Sequence, residues 1–168
     1  AALIVLGSSL LVSAVGVLFA LMPAVKKISF ESSQLTRPLR FVQITDVHVG
    51  SRSKAFLEKV IGKVQALQPE FLCITGDFID ATGVAEEEMA ILRTLACPIY
   101  FTIGNHERYE DLDEILLRMR ALGVRTLRTE SIHHRDDVQV LGIDDRDDAL
   151  QVERELGKVQ IDRQAFGV

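Results

Sequence analysis

The chain has 168 residues, of which 48% are hydrophobic, and this is enough for one domain with a hydrophobic core. Its net charge of −5 argues against a nucleic-acid partner that binds through a broad basic surface. Two cysteines, Cys73 and Cys97, are too few for a disulfide framework. We interpret both as buried free thiols, while the sequence leaves a disulfide between them open.

The first segment, residues 1–25, carries no charged side chain. A helix over Ala2 to Met22 would be about 30 Å long, which matches the hydrocarbon core of a bilayer, so we predict a transmembrane helix. A signal peptide is disfavoured because the segment has no basic start, and a buried core helix because it has no polar face. Lys26 and Lys27 follow the span and predict the inner (cytoplasmic) membrane, with the rest of the chain on the cytoplasmic side.

A polar connector without periodicity follows at residues 26–40, and from residue 41 to residue 168 we predict a single domain. In that domain, apolar runs alternate with amphipathic helical patterns. The predicted strands are residues 40–46, 70–77, 98–105, 124–130 and 137–145, and the predicted helices are residues 53–67, 84–95, 112–123 and 148–157. This alternation indicates an α/β fold with a parallel sheet covered by helices.

Polar side chains follow each of the first three predicted strands. They are Asp46 and His48 after the first, Asp77 and Asp80 after the second, and Asn105 and His106 after the third. About 30 residues, one strand-plus-helix unit, separate successive groups, so the carboxyl ends of the parallel strands should bring them together. Each group alone is a common turn or helix cap. Together, carboxylates, imidazoles and an amide predict a shared site for Mn, Fe or Zn.

The segments "DVHVG", "GDFID" and "GNHE", in this order and spacing, resemble the motifs of the calcineurin-like metallophosphoesterase family from about Leu39 to Asp145. The apolar N-terminal span and the later "LGIDD" are similar to a membrane-associated bacterial branch that includes YaeI-like and YkoQ-like phosphodiesterases. The resemblance implies the N-terminal half of a layered αββα sandwich, preceded by the transmembrane helix.

The resemblance also implies two divalent metal ions. Asp46 and His48 would bind the first ion, Asp77 would bridge both, and Asn105 would bind the second ion and contact the phosphate. The implied nucleophile is a hydroxide activated by both ions.

Two further roles follow from the resemblance. His106 would lie beside the leaving-group oxygen as general acid or charge stabiliser, and Asp80 would hydrogen-bond His106 to orient it. The implied reaction is hydrolysis of a phosphodiester or a pyrophosphate. Because the domain is predicted to work at a membrane, a lipid head group or a nucleotide–lipid is a candidate substrate.

The sequence departs from the family in its remaining histidines. The family pattern requires a lone histidine after a later strand and then a Gly-His-x-His pair. His133 and His134 are adjacent and follow no glycine, so we interpret them as loop residues. With the chain ending at Val168, we expect a piece truncated at its C-terminus. We expect this piece to be weakly active or inactive, and the full-length protein to be an enzyme.

The sequence also has three alternative interpretations of function. A non-catalytic, membrane-tethered remnant or partner-binding module is the main alternative, because the ligand set is incomplete. A nuclease is disfavoured by the negative charge. A protein phosphatase is disfavoured because Ala81 follows Asp80, at a position where the phosphoprotein branch of the family that this chain resembles typically has an arginine.

Overall fold

The computed structural model describes residues 2–145 and 148–168, without side-chain detail at residues 2–4, 18 and 20. Its α-helices are α1 (Ala2–Ala20), α2 (Lys54–Leu67), α3 (Glu86–Met89), α4 (Asn105–Tyr109), α5 (Leu112–Ala121) and α6 (Ala149–Leu156), and a 3-10 helix covers Ala90–Thr94. Its strands are β1 (Phe41–Ile44), β2 (Phe71–Thr75), β3 (Ile99–Thr102), β4 (Arg125–Thr126), β5 (Glu130–Arg135), β6 (Val138–Gly142) and β7 (Phe166–Gly167).

Two sheets form the body of the domain. The first has the order β1-β2-β3-β4 and is parallel throughout, with Phe41 opposite Phe71 and Cys73 opposite Tyr100. The second has the order β5-β6-β7, in which β6 is antiparallel to β5 and parallel to β7. The predicted α/β fold with a parallel sheet is therefore confirmed.

The two central strands of the first sheet, β2 and β3, are buried on both faces, as their apolar sequence predicts. On β2, Leu72 and Ile74 belong to a core shared with α2 and α5, whereas Phe71 and Cys73 pack towards the second sheet. The layers are therefore helices, first sheet and second sheet. Cys73 and Cys97 are both free thiols, and burial raises the pKa of Cys73 to about 12, so its thiol stays protonated at neutral pH.

The local sequence of helix α2 explains where the helix begins, where it ends and which face it buries. The side chain of Ser53 caps its first turn by accepting a hydrogen bond from the backbone N–H of Phe56. Gln68 ends the helix in the left-handed conformation. Between these caps, Leu57, Ile61 and Val64 recur at helical spacing and are buried in the core shared with the first sheet.

Two predicted elements differ from the structure. The predicted helix at residues 84–95 is one α-turn followed by a 3-10 helix. Met89 and Leu92, three residues apart, are both buried, and that spacing fits either kind of helix. The predicted strand at residues 124–130 joins the first sheet only at Arg125–Thr126. Thr129 has a φ of 54°, and Glu130 already begins β5 of the second sheet.

The interpretation of His133 and His134 as loop residues is wrong, because both lie in β5. The ring of His134 lies 4.7 Å from that of Phe71, and its Nδ1 is 3.2 Å from the hydroxyl oxygen of Tyr100. A polar sequence therefore forms a strand here because one imidazole packs between the sheets and finds a hydrogen-bonding partner.

The connector is docked on the domain. The side-chain amide of Gln34 donates to the carbonyl oxygens of Arg163 and Ala165. Thr36 donates to Asp137 from both its backbone N–H and its hydroxyl, each at 2.6 Å. Arg135 contacts Asp137 and also contacts Glu70, which directly precedes β2, at 2.9 Å. It therefore links the docked connector to the start of β2.

Helix α1 covers most of the predicted membrane segment. Among the residues that the structure describes in full, no helix is long and apolar enough to cross a membrane.

Candidate metal centre

The backbone beyond β1 continues alongside the backbone beyond β2. The N–H of Asp46 donates to the carbonyl oxygen of Gly76 at 3.3 Å, and the N–H of His48 to that of Asp77 at 3.1 Å. Asp46, His48 and Asp77 have φ values of 55°, 55° and 51°, in the left-handed region that non-glycine residues seldom occupy. Three predicted ligands therefore lie on two adjacent segments at the carboxyl edge of the sheet.

Two glycines allow the strand ends to approach closely. A Cβ atom on Gly76 would lie 2.6 Å from the Cα of Gly104. A Cβ atom on Gly104 would lie 2.2 Å from Oδ1 of Asp77. No side chain fits at either position without displacing the backbone or a predicted ligand, so these glycines set the spacing between the ends of β2 and β3.

The side chain of Glu107 holds together the segments that follow β2 and β3. Its side chain is fully buried and accepts hydrogen bonds from four backbone N–H groups, at distances of 2.6–2.9 Å. The donors are Asp77, Phe78, Ile79 and Gly104. A carboxylate is acceptor-only when ionised, so one side chain satisfies four donors that would otherwise be buried without partners.

The predicted ligands lie close together, next to the segments that Glu107 holds. Ligand atoms of His48, Asp77 and His106 all lie within 4.8 Å of one another. Oδ1 of Asp46 is 3.9 Å from Nε2 of His48, and the backbone N–H of His106 donates to Oδ1 of Asp77 at 3.0 Å. Asn105 lines the same pocket as Asp46 and Asp77. Imidazole nitrogens with carboxylate and amide oxygens fit a divalent transition metal.

Asp80 lies beside a different histidine from the one predicted. The expectation was a hydrogen bond to His106, but Oδ2 of Asp80 is 3.2 Å from Nδ1 of His48. Its Oδ1 accepts a hydrogen bond from the N–H of Ser51 at 3.0 Å. Burial raises the pKa of Asp80, but the hydrogen bonds from Ser51, together with His48 and His106 nearby, outweigh it and leave the pKa below 3.8. The carboxylate therefore orients His48.

A pocket of about 400 Å³ opens at the cluster, between the ends of the two sheets. Thr45 lines it and donates a hydrogen bond to Oδ2 of Asp46 at 2.7 Å. Asp145, after β6, lines the opposite side and is held there by the hydrogen bond from its N–H to the carbonyl oxygen of Ile103. Nη1 of Arg108 donates to the carbonyl oxygen and to Oδ2 of Asp145, at 3.1 and 3.3 Å.

The sequence did not reveal three of these residues. Glu107 belongs to the quoted "GNHE" segment, but nothing in the sequence shows that its side chain turns back onto the backbone. Thr45 precedes Asp46 and Asp145 ends "LGIDD", so both could have been found as polar residues at strand ends. Their position across the pocket depends on how the second sheet packs on the first.

Comparisons with known proteins agree with this geometry. Residues 39–154 match the family described as calcineurin-like phosphoesterase. An uncharacterised metallophosphoesterase of Campylobacter jejuni is 32% identical over 103 residues, which cover 58% of this chain and 27% of the relative. The UDP-2,3-diacylglucosamine pyrophosphatase of Chlamydia trachomatis is 39% identical over 74 residues, which cover 41% of this chain and 22% of the relative.

A zebrafish transmembrane protein with a metallophosphoesterase domain is 28% identical over 126 residues, which cover 64% of this chain and 27% of the relative. The chain thus spans about a quarter of the length of each of these relatives. Because the family match extends over more than half of its residues and includes all three strand ends, the chain belongs to the calcineurin-like phosphoesterase family.

Proposed function

We propose that the protein hydrolyses a phosphodiester or a pyrophosphate with the help of two divalent metal ions. The observation that carries this proposal is the convergence of His48, Asp77 and His106 at the carboxyl edge of the parallel sheet. Asp77 also lines the adjacent pocket, together with Asp46 and Asn105. Ligands of open α/β sheets bind at this edge. Membership of the phosphoesterase family supports the reaction class.

We assign Asp46, His48, Asp77 and Asn105 as the metal ligands, for Mn, Fe or Zn. Asp77 is the candidate bridging ligand because it lies between the segments that carry His48 and His106. When bound, such ions polarise a phosphoryl oxygen and lower the pKa of a water molecule. The protein itself supplies the oriented ligands: Asp80 holds His48, Thr45 holds Asp46, and Glu107 holds the backbone of Asp77.

For His106 we propose the role of general acid or charge stabiliser at the leaving-group oxygen. Its ring lies edge-on to that of His48, with 4.8 Å between the ring centroids, so its nitrogen atoms lie beside the ligands. A role as a metal ligand is the competing assignment. His106→Gln distinguishes the two roles. If His106 is a general acid, the variant should keep its metal affinity and lose most activity on substrates with poor leaving groups. If His106 is a metal ligand, the variant should lose metal affinity itself.

We further propose that the protein acts at the inner membrane, from the cytoplasmic side, on a lipid-linked phosphoester. The apolar side chains described in α1 are exposed, for example 72% for both Val12 and Phe19, and the lysines at 26 and 27 follow the helix. The Chlamydia relative is named for a pyrophosphatase reaction on a diacylglucosamine nucleotide, and the zebrafish relative is named as transmembrane.

The test combines metal binding with turnover. Mn²⁺ binding is measured by calorimetry, and hydrolysis with bis(4-nitrophenyl) phosphate, for the wild type, Asp77→Asn and Asp113→Asn. Asp113 lies on the exposed side of α5 and is the matched control. We expect Asp77→Asn alone to lose Mn²⁺ binding. Among the described residues the second ion has only Asp77 and Asn105 as assigned ligands, so we expect weak turnover. A protein that neither binds Mn²⁺ nor hydrolyses the ester would contradict the proposal.

A further inference from the structure

We propose that Arg108 binds a second phosphate group of the substrate and thereby makes the protein selective for pyrophosphates over esters with a single phosphate. This inference rests on the proposed phosphoesterase function and specifies its substrate class.

The position of Arg108 relative to the pocket is the first observation. Helix α4 begins at Asn105, which lines the pocket, and Arg108 lies in the same five-residue helix. Its guanidinium group contacts Asp145, another residue that lines the pocket, through two hydrogen bonds from Nη1. Arg108 therefore lies at the rim, next to the place where a substrate would extend beyond the metal ligands.

The charge of the pocket is the second observation. The titratable side chains among its described lining residues are all acidic: Asp46, Asp77 and Asp145. Bound metal ions would offset the charge at Asp46 and Asp77, where the phosphate to be cleaved would bind. A neighbouring phosphate would face Asp145 and would be repelled unless a cation compensates. Arg108 is placed to do so, and a guanidinium group matches the geometry of phosphate oxygens.

The exposure of the pair shows that Arg108 can exchange its partner. The side chains of Arg108 and Asp145 are 35% and 41% exposed. An ion pair this exposed contributes little to folding. A phosphate can therefore compete with the Asp145 carboxylate for Arg108, and Arg108→Ala should fold.

Binding of two nucleotides that differ by one phosphate tests the proposal. The affinities of ADP and AMP are measured by calorimetry at one fixed free Mn²⁺ concentration. We expect the wild type to prefer ADP by about tenfold, the effect of one charge-assisted interaction. Arg108→Ala should lose this preference with an unchanged affinity for AMP, and Arg108→Lys should keep part of it.

Two further variants separate phosphate binding from a structural role. Arg93 also pairs with a carboxylate, that of Glu86, and with a backbone carbonyl, that of Ala121, so Arg93→Ala is the matched control and should keep the preference. Asp145→Asn weakens the ion pair but leaves Arg108 in place, so it should also keep the preference. If Arg108 only braced the pocket, Asp145→Asn and Arg108→Ala would behave alike.

The inference is overturned if the wild type binds ADP no more tightly than AMP, if Arg108→Ala keeps the preference, or if Arg93→Ala loses it as well. Because binding is measured without turnover, its result is separate from that of the hydrolysis assay. A protein that prefers ADP through Arg108 but neither binds Mn²⁺ by itself nor hydrolyses the ester would support this inference and contradict the proposed function.

Discussion

Nδ1 of His48 lies 3.2 Å from Oδ2 of Asp80, so a carboxylate contacts one of the two nitrogen atoms of the imidazole. Its other nitrogen, Nε2, faces Asp46 at 3.9 Å and the ligand cluster. A carboxylate behind a ligating histidine fixes the ring orientation and the tautomer, and it raises the basicity of the ligand.

Asp80→Asn should therefore weaken Mn²⁺ binding by roughly 10–100-fold without unfolding the protein. Calorimetric titration gives the affinity, and circular dichroism gives the melting temperature. Asp162→Asn is a matched control, because Oδ2 of Asp162 lies 3.7 Å from Nε2 of His133, outside the cluster. Equal Mn²⁺ affinities for Asp80→Asn and the wild type would show that the carboxylate has no part in orienting the ligand.

Glu107→Gln should destabilise the fold by about 3 kcal/mol, because the new amide group turns hydrogen-bond donors towards buried backbone N–H groups. The carboxylate accepts from Phe78 and Ile79 through Oε1 and from Asp77 and Gly104 through Oε2, so either orientation of the amide loses two hydrogen bonds. Urea unfolding measures the change.

The exposed Glu58 on α2 provides the control for that substitution, and Glu58→Gln should stay within about 0.5 kcal/mol of the wild type. A similarly small effect for Glu107→Gln would mean that the four hydrogen bonds do not stabilise the strand ends.

Gly104→Ala should destabilise the protein by about 1–3 kcal/mol and impair Mn²⁺ binding, because the added methyl group would lie 2.2 Å from Oδ1 of Asp77. Gly62→Ala, in α2, has no atom within 4 Å of the added methyl group. It should stabilise the protein by about 0.5–1 kcal/mol through helix propensity. Thermal melts with and without Mn²⁺ measure both effects, and an alanine tolerated at both positions would refute the close approach at Gly104.

Asp137→Asn should make the stability of the fold decrease less steeply as the pH is lowered into the acid range. Hydrogen bonds from Arg135 and Thr36 hold the pKa of Asp137 well below 3.8. The folded state therefore binds its proton less readily than the unfolded state, and the carboxylate stabilises the fold above about pH 4 and less as the pH falls below that. Melting temperatures between pH 6 and pH 2 measure the slope.

For the comparison, Asp136→Asn changes an exposed neighbour of Asp137 and should leave the slope as in the wild type. If Asp137→Asn also keeps the wild-type slope, docking of the connector does not depend on the charge of Asp137.

The part of the fold that the sequence predicted best is the part set by local rules. Apolar runs followed by Asp46, Asp77 and Asn105 were enough to predict parallel strands with polar carboxyl ends, because a parallel arrangement brings such ends to one edge.

The rest depends on contacts between distant segments. That Asp80 contacts His48 and not His106 depends on side-chain positions on two neighbouring loops, which spacing does not specify. That His134 lies in a strand depends on Phe71 and Tyr100, which are more than 30 positions away. Tertiary packing decides such cases over local propensity.

The left-handed backbone at Asp46, His48 and Asp77 sets stability against the candidate ligands when these positions mutate. A non-glycine residue held in this conformation costs of the order of 1 kcal/mol or more, which the surrounding fold must offset. Glycine would relieve that strain at each position but would remove a ligand. Mutations that raise stability alone would therefore tend to erase the candidate metal centre first.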